Sequence, residues 1–485
     1  MNLGLFDTGQ LQIAVQKIFC LPVKELGNVV DFLIVIPVVA LVIYAIVKNY
    51  SASASLAIAG LVLLSAAALM GEQSILPEAK ATGFMPFDLF ELMNMVFKNR
   101  MAGLGLTIMA CGGFASYMSH IGASESLVRL AVKPISKFKS PYTVLALCYL
   151  LSVVLQMFVT SATGLGLLLM VTLYPVLRNI GLSPASAVAV IASPAAFEIG
   201  VTQVNANFAA SQSGIEITEY FLNYQVWITI PMALMAAGLH FVWQRRCDLK
   251  DGYIAAEHVG EGIEKSDDDK PKAPAFYALL PMIPFFLLLT FSKMMVTSIK
   301  MNLVVAMLIS VFAGMLCELI RSRKIKESLD GFDSFLNGMG AVFGPVVGLI
   351  IGAEVFATGL KHIGAIDSLL GSAQGLGIGA GGMTVFMAML IAVAAIMMGS
   401  GNAAFLSFAT LAPDVAKTFG VPAVAMLLPM NFAASMGRSM SPIAAVVIAC
   451  AGIAKISPFE VVKRTAVPMV GAFLVGMVLH LILFV

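Results

Sequence analysis

Gly399-Ser400-Gly401-Asn402-Ala403-Ala404-Phe405 separates two apolar runs, 383–398 and 405–412. Small and amide-bearing residues at such a junction suit a hairpin tip, where the backbone bends and approaches a neighbour closely. The first half of the chain has a counterpart, Ser161-Ala162-Thr163-Gly164, also between apolar arms. Both tips run on into the same tetrad form, Thr172-Leu173-Tyr174-Pro175 and Thr410-Leu411-Ala412-Pro413. The two stretches read as paired re-entrant hairpins meeting at a buried polar site.

Composition sets the solvent around them. The 485-residue chain is 59% hydrophobic and 12% charged, with mean hydropathy +0.94. Several windows approach or reach the ~20 apolar residues that span a bilayer. Backbone in lipid must satisfy its own hydrogen bonds, so the expected fold is an all-α polytopic membrane protein. A net charge of +2 gives no footprint for nucleic acid. Cys20, Cys111, Cys148, Cys247, Cys317 and Cys450 show no CxxC or metal-ligand spacing, and read as buried small hydrophobes rather than a metal site. There is no P-loop, no HExxH and no Ser/His/Asp arrangement, so catalysis and ATP-driven transport have no support. No signal-peptide cleavage pattern follows the apolar residues near Lys17 and Lys24.

The chain reads as a duplication. Residues 1–28 are mixed and could form an amphipathic surface helix. The first unit, 29–243, carries spans at 29–48, 53–72 and 101–120, an amphipathic stretch at 121–140, a hairpin at 141–178, an interrupted span at 184–208 and a span at 221–243. A hydrophilic linker, 244–274, reads as cytoplasmic. The second unit, 275–485, repeats the order: spans at 276–292, 301–320 and 338–358, an amphipathic stretch at 360–378, a hairpin at 383–416, an interrupted span at 421–447 and a span at 466–485. Phe114-Ala115, His120-Ile121-Gly122-Ala123 and Ser126-Leu127 recur 242 residues later as Phe356-Ala357, His362-Ile363-Gly364-Ala365 and Ser368-Leu369. The tips recur at 239 and the tetrads at 238. Such a match at a steady offset marks internal repetition. His120 and His362 sit near span ends and read as interfacial or packing residues.

Each unit crosses five times and adds one hairpin, so ten spans and an inverted relation between the units are expected. Charge agrees. Arg129, Lys133, Lys137 and Lys139 fill 121–140, whereas the counterpart 363–379 has no Lys or Arg; Arg321, Arg323, Lys324 and Lys326 fill 321–337, against Lys80 alone near 79–95. The positive-inside rule then puts the linker and 455–464 in the cytoplasm and both termini in the periplasm. Inverted repeats with broken helices meeting at mid-membrane are an architecture of secondary transporters.

Arg438 lies inside an apolar span, in Asn431-Phe-Ala-Ala-Ser435-Met-Gly437-Arg438-Ser439-Met-Ser441-Pro442. A guanidinium in hydrocarbon is costly and usually functional, and its fork fits a carboxylate bidentately. It reads either as an anion binder or as half of a structural ion pair with Glu198 or Glu354. The first-half equivalent, 193–207, offers Ser193, Thr202, Gln203, Asn205 and Asn207 with Pro194 and Gly200 as helix breakers. The substrate-binding candidates are Ser161, Thr163, Gly164, Ser193, Thr202, Asn205, Gly399, Ser400, Gly401, Asn402, Asn431, Ser435, Arg438, Ser439 and Ser441. Glu198 and Glu354 are the coupling candidates, for a proton, a cation or a substrate amino group; no other cofactor is expected beyond Na⁺ or H⁺. The tip hydroxyls and amide suit a carboxylate or Na⁺, and equally suit helix packing.

Ser161-Ala-Thr-Gly-Leu-Gly166, Ser193-Pro-Ala-Ala196, Gly399-Ser-Gly-Asn-Ala403 and Ala454-Lys-Ile-Ser-Pro-Phe-Glu-Val-Val-Lys-Arg-Thr465 resemble the anaerobic C4-dicarboxylate carrier family of the DcuC type. The resemblance runs from about residue 30 to the C-terminus. It implies a carrier of the bacterial inner membrane that exchanges or exports dicarboxylates of the succinate, fumarate, malate and aspartate class. It also implies a homodimer in the bilayer and a transport domain that moves like an elevator against a scaffold. The family pattern has apolar residues where Glu198 and Glu354 stand, and Pro-Thr-Ser-Gly-Asp where this chain has Val201-Thr-Gln-Val-Asn205. These departures leave open a proton- or sodium-coupled amino-acid or peptide carrier of the same fold. An ion channel or structural subunit is the remaining alternative, and it leaves Arg438 unexplained.

Overall fold

Helices in lipid gain little from hydrophobicity when they pair, so small residues that let backbones touch decide which ones meet. The computed structural model describes residues 33–485 apart from 43, 46, 47, 49, 71–74, 77–79, 134–139, 259–272, 292–294, 297 and 366–377. The segment 1–28, residues 259–272 of the linker and most of the second amphipathic stretch therefore lie outside the described residues. Among the described residues there is no strand, and the protein is an all-helical, multi-pass membrane protein.

Two groups of helices can be told apart by their packing. The first, a frame, contains α1 (Ala52–Met70), α2 (Met85–His120), the short α3 (Ala123–Val132), α9 (Ala275–Thr290), α10 (Leu303–Ser322) and α11 (Ile325–His362). Here α1 lies against α11, and α11 also lies along α2. A Cβ at Gly60 would sit 2.6 Å from the Val355 carbonyl, and one at Gly352 would sit 2.4 Å from the Ser53 carbonyl. On the other contact, a Cβ at Gly113 would sit 2.6 Å from the Phe335 carbonyl.

The second group, a bundle, contains α4 (Pro141–Gln156), α5 (Ala162–Thr172), α6 (Pro184–Ala192), α7 (Val204–Ser213), α8 (Ile217–Lys250), α12 (Ala380–Met398), α13 (Gly401–Phe408), α14 (Ala423–Ser439), α15 (Ala445–Ala454) and α16 (Pro458–Phe484). Its centre is α6 and α14, each buried along almost its whole length. One buried polar cluster pins four of these helices at one end. Arg464 of α16 pairs with Asp248 of α8, and with Asp251 at 2.6 Å. The Asp248 carboxylate also accepts from Ser183 (2.7 Å), Ser186 (2.9 Å) and Tyr142 (3.0 Å).

Seven helices among the described residues are each long and apolar enough to span alone; α4, α9 and the pieces of the broken helices are shorter. Some boundaries need correction. Residues 85–95 and 325–337, read as loops, are the first turns of α2 and α11. Charges such as Asp88 and Glu91 in the one, and Asp330 and Asp333 in the other, lower hydropathy there while the helix continues. Each of these long helices carries one π turn, Met101–Gly105 and Phe343–Val347. They fall 242 residues apart, the offset of the sequence repeat. Such single turns are often tied to function or to a bend.

The glycine contacts make a direct prediction. Gly60→Ala forces a Cβ into backbone and is expected to cost about 1–3 kcal/mol, as overpacking does. Gly340→Ala, with open space around its site, is expected to hold or raise stability, since alanine favours helix by about 1 kcal/mol. Thermal midpoints of the two variants in detergent check the contrast.

Candidate functional site

The first tip begins where α4 ends at Gln156. The chain turns, and Ser161 caps α5 by accepting from the Gly164 N–H at 3.0 Å. At the second tip α12 stops at Gly399, whose φ of 65° lies in the left-handed region. Ser400 then caps α13 by accepting from the Ala403 N–H at 3.2 Å. A Cβ at Gly401 would sit 2.9 Å from the Ala434 carbonyl of α14. Small residues are needed there because the second tip presses on the second broken helix.

The breaks are held by side chains from elsewhere. After α6 the chain makes one 3₁₀ turn, Pro194–Ala196, and then runs without helix to α7. In that run Glu198 has φ 40° and Gly200 φ 125°. A positive φ strains a glutamate. Gln225, in the π turn Tyr220–Gln225 of α8, clamps the strained segment. Its amide donates to the Glu198 carbonyl at 2.9 Å and accepts from the Gly200 N–H at 3.3 Å. Gln203 donates to the Gln156 carbonyl at 2.6 Å, and Thr202 donates to the Met157 carbonyl at 3.1 Å. The first break is therefore tied to the first tip.

The second break is shorter than expected. Asn431, Ser435 and Gly437 are inside α14, which runs to Ser439, and helix resumes with α15 at Ala445. Gly437 stays helical because α12 lies against it: a Cβ there would sit 2.6 Å from the Ala392 carbonyl. Thr465 of α16 donates to the Ser439 carbonyl at 3.0 Å and holds the end of α14.

Arg438 and Glu198 meet across the two breaks. Arg438 Nη1 lies 3.0 Å from Glu198 Oε1, with the side chains 12% and 5% exposed. Nη2 donates to the Ala195 carbonyl at 2.7 Å. Arg438 Nε and Glu198 Oε2 are buried and make no hydrogen bond. Of the two readings of Arg438, the ion pair is present, and Glu198 is the partner. Glu354 is not: it pairs with Arg100 of α2 at 2.8 Å, within the frame.

A cavity of about 340 Å³ opens beside this pair, within the ~300–1,000 Å³ range of small-molecule sites. Ser161 and Thr163 line it from the first tip, and Gly399, Ser400 and Asn402 from the second. Glu198 and Arg438 complete the residues anticipated from sequence. Val204 and Ala445 also line it, so the first turns of α5, α7, α13 and α15 all border one space. Each helix N-terminus carries about half a positive charge and free N–H groups. Four of them share this space with the Arg438 guanidinium and the Glu198 carboxylate, and helix N-termini favour anions.

The remaining candidates lie outside this lining. Gly164 serves the cap and Gly401 the packing. Ser193 donates to the Ala189 carbonyl at 2.6 Å, Thr202 to Met157, and Ser439 to the Ser435 carbonyl at 3.1 Å. The side chains of Asn205, Asn431, Ser435 and Ser441 are buried with polar atoms that make no hydrogen bond. Thr160 and Gln203 line the cavity and were not among the candidates. Gln203 stands in the polar run that marks the break; Gln225 acts on residues 25 and 27 positions away and leaves no local signal. A larger groove of about 990 Å³ lies between α2, α7, α9 and α10, and its charged lining residues, Glu216 and Lys300, have opposite signs.

Two hairpin tips closing on two helix breaks inside an all-helical membrane protein form the architecture of a membrane carrier. Solved structures share the fold. The Alcanivorax borkumensis YdaH transporter matches with a TM-score of 0.59 at 14% identity, over 87% of this chain and 95% of that one. Neisseria gonorrhoeae MtrF, from a class of antimetabolite efflux pumps, matches with a TM-score of 0.59 at 12% identity, over 89% and 95%. The family model for DcuC, C4-dicarboxylate anaerobic carrier, matches residues 30–485, and the chain belongs to that family. A probable anaerobic C4-dicarboxylate transporter DcuC of Vibrio cholerae is 38% identical over 429 residues, 88% of this chain and 92% of the relative. The Escherichia coli K12 anaerobic C4-dicarboxylate transporter DcuC is 36% identical over 454 residues, 93% of this chain and 96% of the relative. The family and these relatives are transporters, not enzymes.

The clamp on the first break can be tested. Gln225→Met fills similar volume and strips the partners from the Gly200 N–H and the Glu198 carbonyl. Each orphaned group is expected to cost about 1–3 kcal/mol. The expected readouts are a lower thermal midpoint and faster hydrogen exchange in peptides covering 197–203.

Proposed function

We propose that this protein is a secondary carrier of C4 dicarboxylates in the bacterial inner membrane, working by exchange or export. The substrate lies between the two tips and the two breaks. One carboxylate engages Arg438; the other takes hydroxyls, the Asn402 amide and backbone N–H groups at the tips. The observation that carries the reading is the convergence of four helix N-termini and Arg438 on one cavity. The printed names of the relatives supply the substrate class.

The two groups of helices suit an elevator, with the bundle carrying the cavity past the frame, and the recurrence of elements suits two inverted units. Tyr142, Asp248 and Arg464 come together in one cluster, in keeping with a common cytoplasmic side for the segments near them and periplasmic termini. A homodimer built on the frame completes the proposal. A carrier that binds a substrate amino group through Glu198 is the second reading. It fares worse because the relatives are named for dicarboxylates and the helix N-termini around the cavity favour an anion.

Counterflow of labelled succinate into proteoliposomes loaded with unlabelled succinate tests the proposal. Uptake that depends on internal succinate is expected from the wild type. Arg438→Ala is expected to abolish it; because the variant leaves Glu198 buried without its partner, folded protein is selected by its elution profile in detergent before flux is measured. Arg438→Lys keeps the charge and loses the fork, and is expected to weaken half-saturation about tenfold or more. Wild-type flux through Arg438→Ala contradicts the site, and competition by aspartate but not succinate favours the second reading.

A further inference from the structure

The cation that would receive a substrate carboxylate already holds one. Glu198 occupies Nη1 of Arg438, and the Ala195 carbonyl occupies Nη2. A bidentate carboxylate needs two neighbouring guanidinium N–H groups; Nε makes no hydrogen bond, while Nη1 and Nη2 each commit one N–H to a protein acceptor, so an entering carboxylate competes with Glu198 for the same cation. We propose that Glu198 is an internal stand-in for a substrate carboxylate: an entering dicarboxylate displaces it from Arg438, and the displaced side chain takes up one proton from the water on the side of entry. The inference rests on the reading of this cavity as a dicarboxylate site.

Three features support the exchange. Glu198 is held by strained backbone at φ 40°, pinned from behind by Gln225, so its side chain hinges from a fixed point. It is 5% exposed; once parted from Arg438 it would be a buried charge without a counter-charge, a state that protonation relieves. A berth for the neutral acid lies beside it. Ser435 borders the carboxyl, and Tyr220 stands near it with Asn431 alongside. Each carries a buried polar side-chain atom, with Ser435 beside the Glu198 carboxyl and Asn431 beside the Tyr220 hydroxyl. Among the described residues, the charged and titratable groups facing Glu198 are Arg438 from α14 and Tyr220 from α8.

The exchange also sets specificity. A monocarboxylate would gain at Arg438 only what Glu198 loses, whereas a second carboxylate adds contacts at the tips.

Calorimetry of succinate binding to the purified protein, repeated in buffers of different ionisation enthalpy, counts the protons. The expected wild-type result is about one proton taken up per succinate. Affinity is expected to fall as pH rises, by up to about tenfold per pH unit where one full proton is taken up. Glu198→Gln has no charge to displace, so it is expected to take up no proton, to bind independently of pH, and to bind more tightly than the wild type at the alkaline end. Wild-type binding without proton uptake overturns the proposal. So does a Glu198→Gln profile identical to the wild type, or a requirement for Na⁺ in place of the proton. Should Glu198→Gln not fold, the wild-type count decides alone. No succinate binding by folded wild-type protein at any pH overturns the dicarboxylate reading itself, and this inference with it.

Discussion

A guanidinium inside a membrane protein needs a counter-charge, and the structure around Arg438 follows from that need. Placing arginine at the centre of a spanning helix costs about 2.5–3.5 kcal/mol on insertion scales. Glu198 offsets the charge at 3.0 Å, but it can reach only because α6 and α14 both stop near the same point. Interrupted helices expose N–H and carbonyl groups that lipid cannot satisfy. Those groups must be buried in protein or turned toward a polar space. Here both occur: Gln225, Gln203, Thr202 and Thr465 satisfy backbone carbonyls, and the free N-terminal turns face the cavity.

Holding two breaks and two tips in register needs a stiff surround. Within the bundle, contacts such as that of Gly437 on the Ala392 carbonyl let helices touch along their backbones. At one end, the buried Arg464–Asp248 cluster joins α4, α6, α8 and α16, so helices from both halves of the chain are tied together. The frame uses its own glycines, Gly60, Gly113 and Gly352, and keeps its own ion pair, Arg100–Glu354. Both of these ion pairs are thus closed within one group of helices.

The all-helical fold and the hairpin tips are legible in the sequence because hydropathy and small polar residues are local signals. Glycines and serines between apolar arms mark 161–164 and 399–402 with no need of a partner. Arg438 is legible for the same reason, as one charge in an apolar run. Its partner is not, because Glu198 and Glu354 carry the same local signal and only the path of the chain separates them. The second break reads too long, since Gly437 and Ser435 look like helix breakers until α12 is seen to lie on the one and α13 against the other. The first turns of α2 and α11 read as loops because amphipathic helix ends and loops share a composition. Gln225 is invisible locally, as its effect is exerted on residues 25 and 27 positions earlier.

The central claim is that one dicarboxylate binds between the tips with a carboxylate on Arg438. A cryo-electron microscopy map of the protein with succinate in the bilayer or detergent tests it most directly. The account predicts ligand density bounded by Ser161, Thr163, Ser400 and Asn402, in contact with the Arg438 guanidinium, with Glu198 turned away. Density in the groove near Lys300, or a ligand in place with the Arg438–Glu198 pair unbroken and out of its reach, would contradict it.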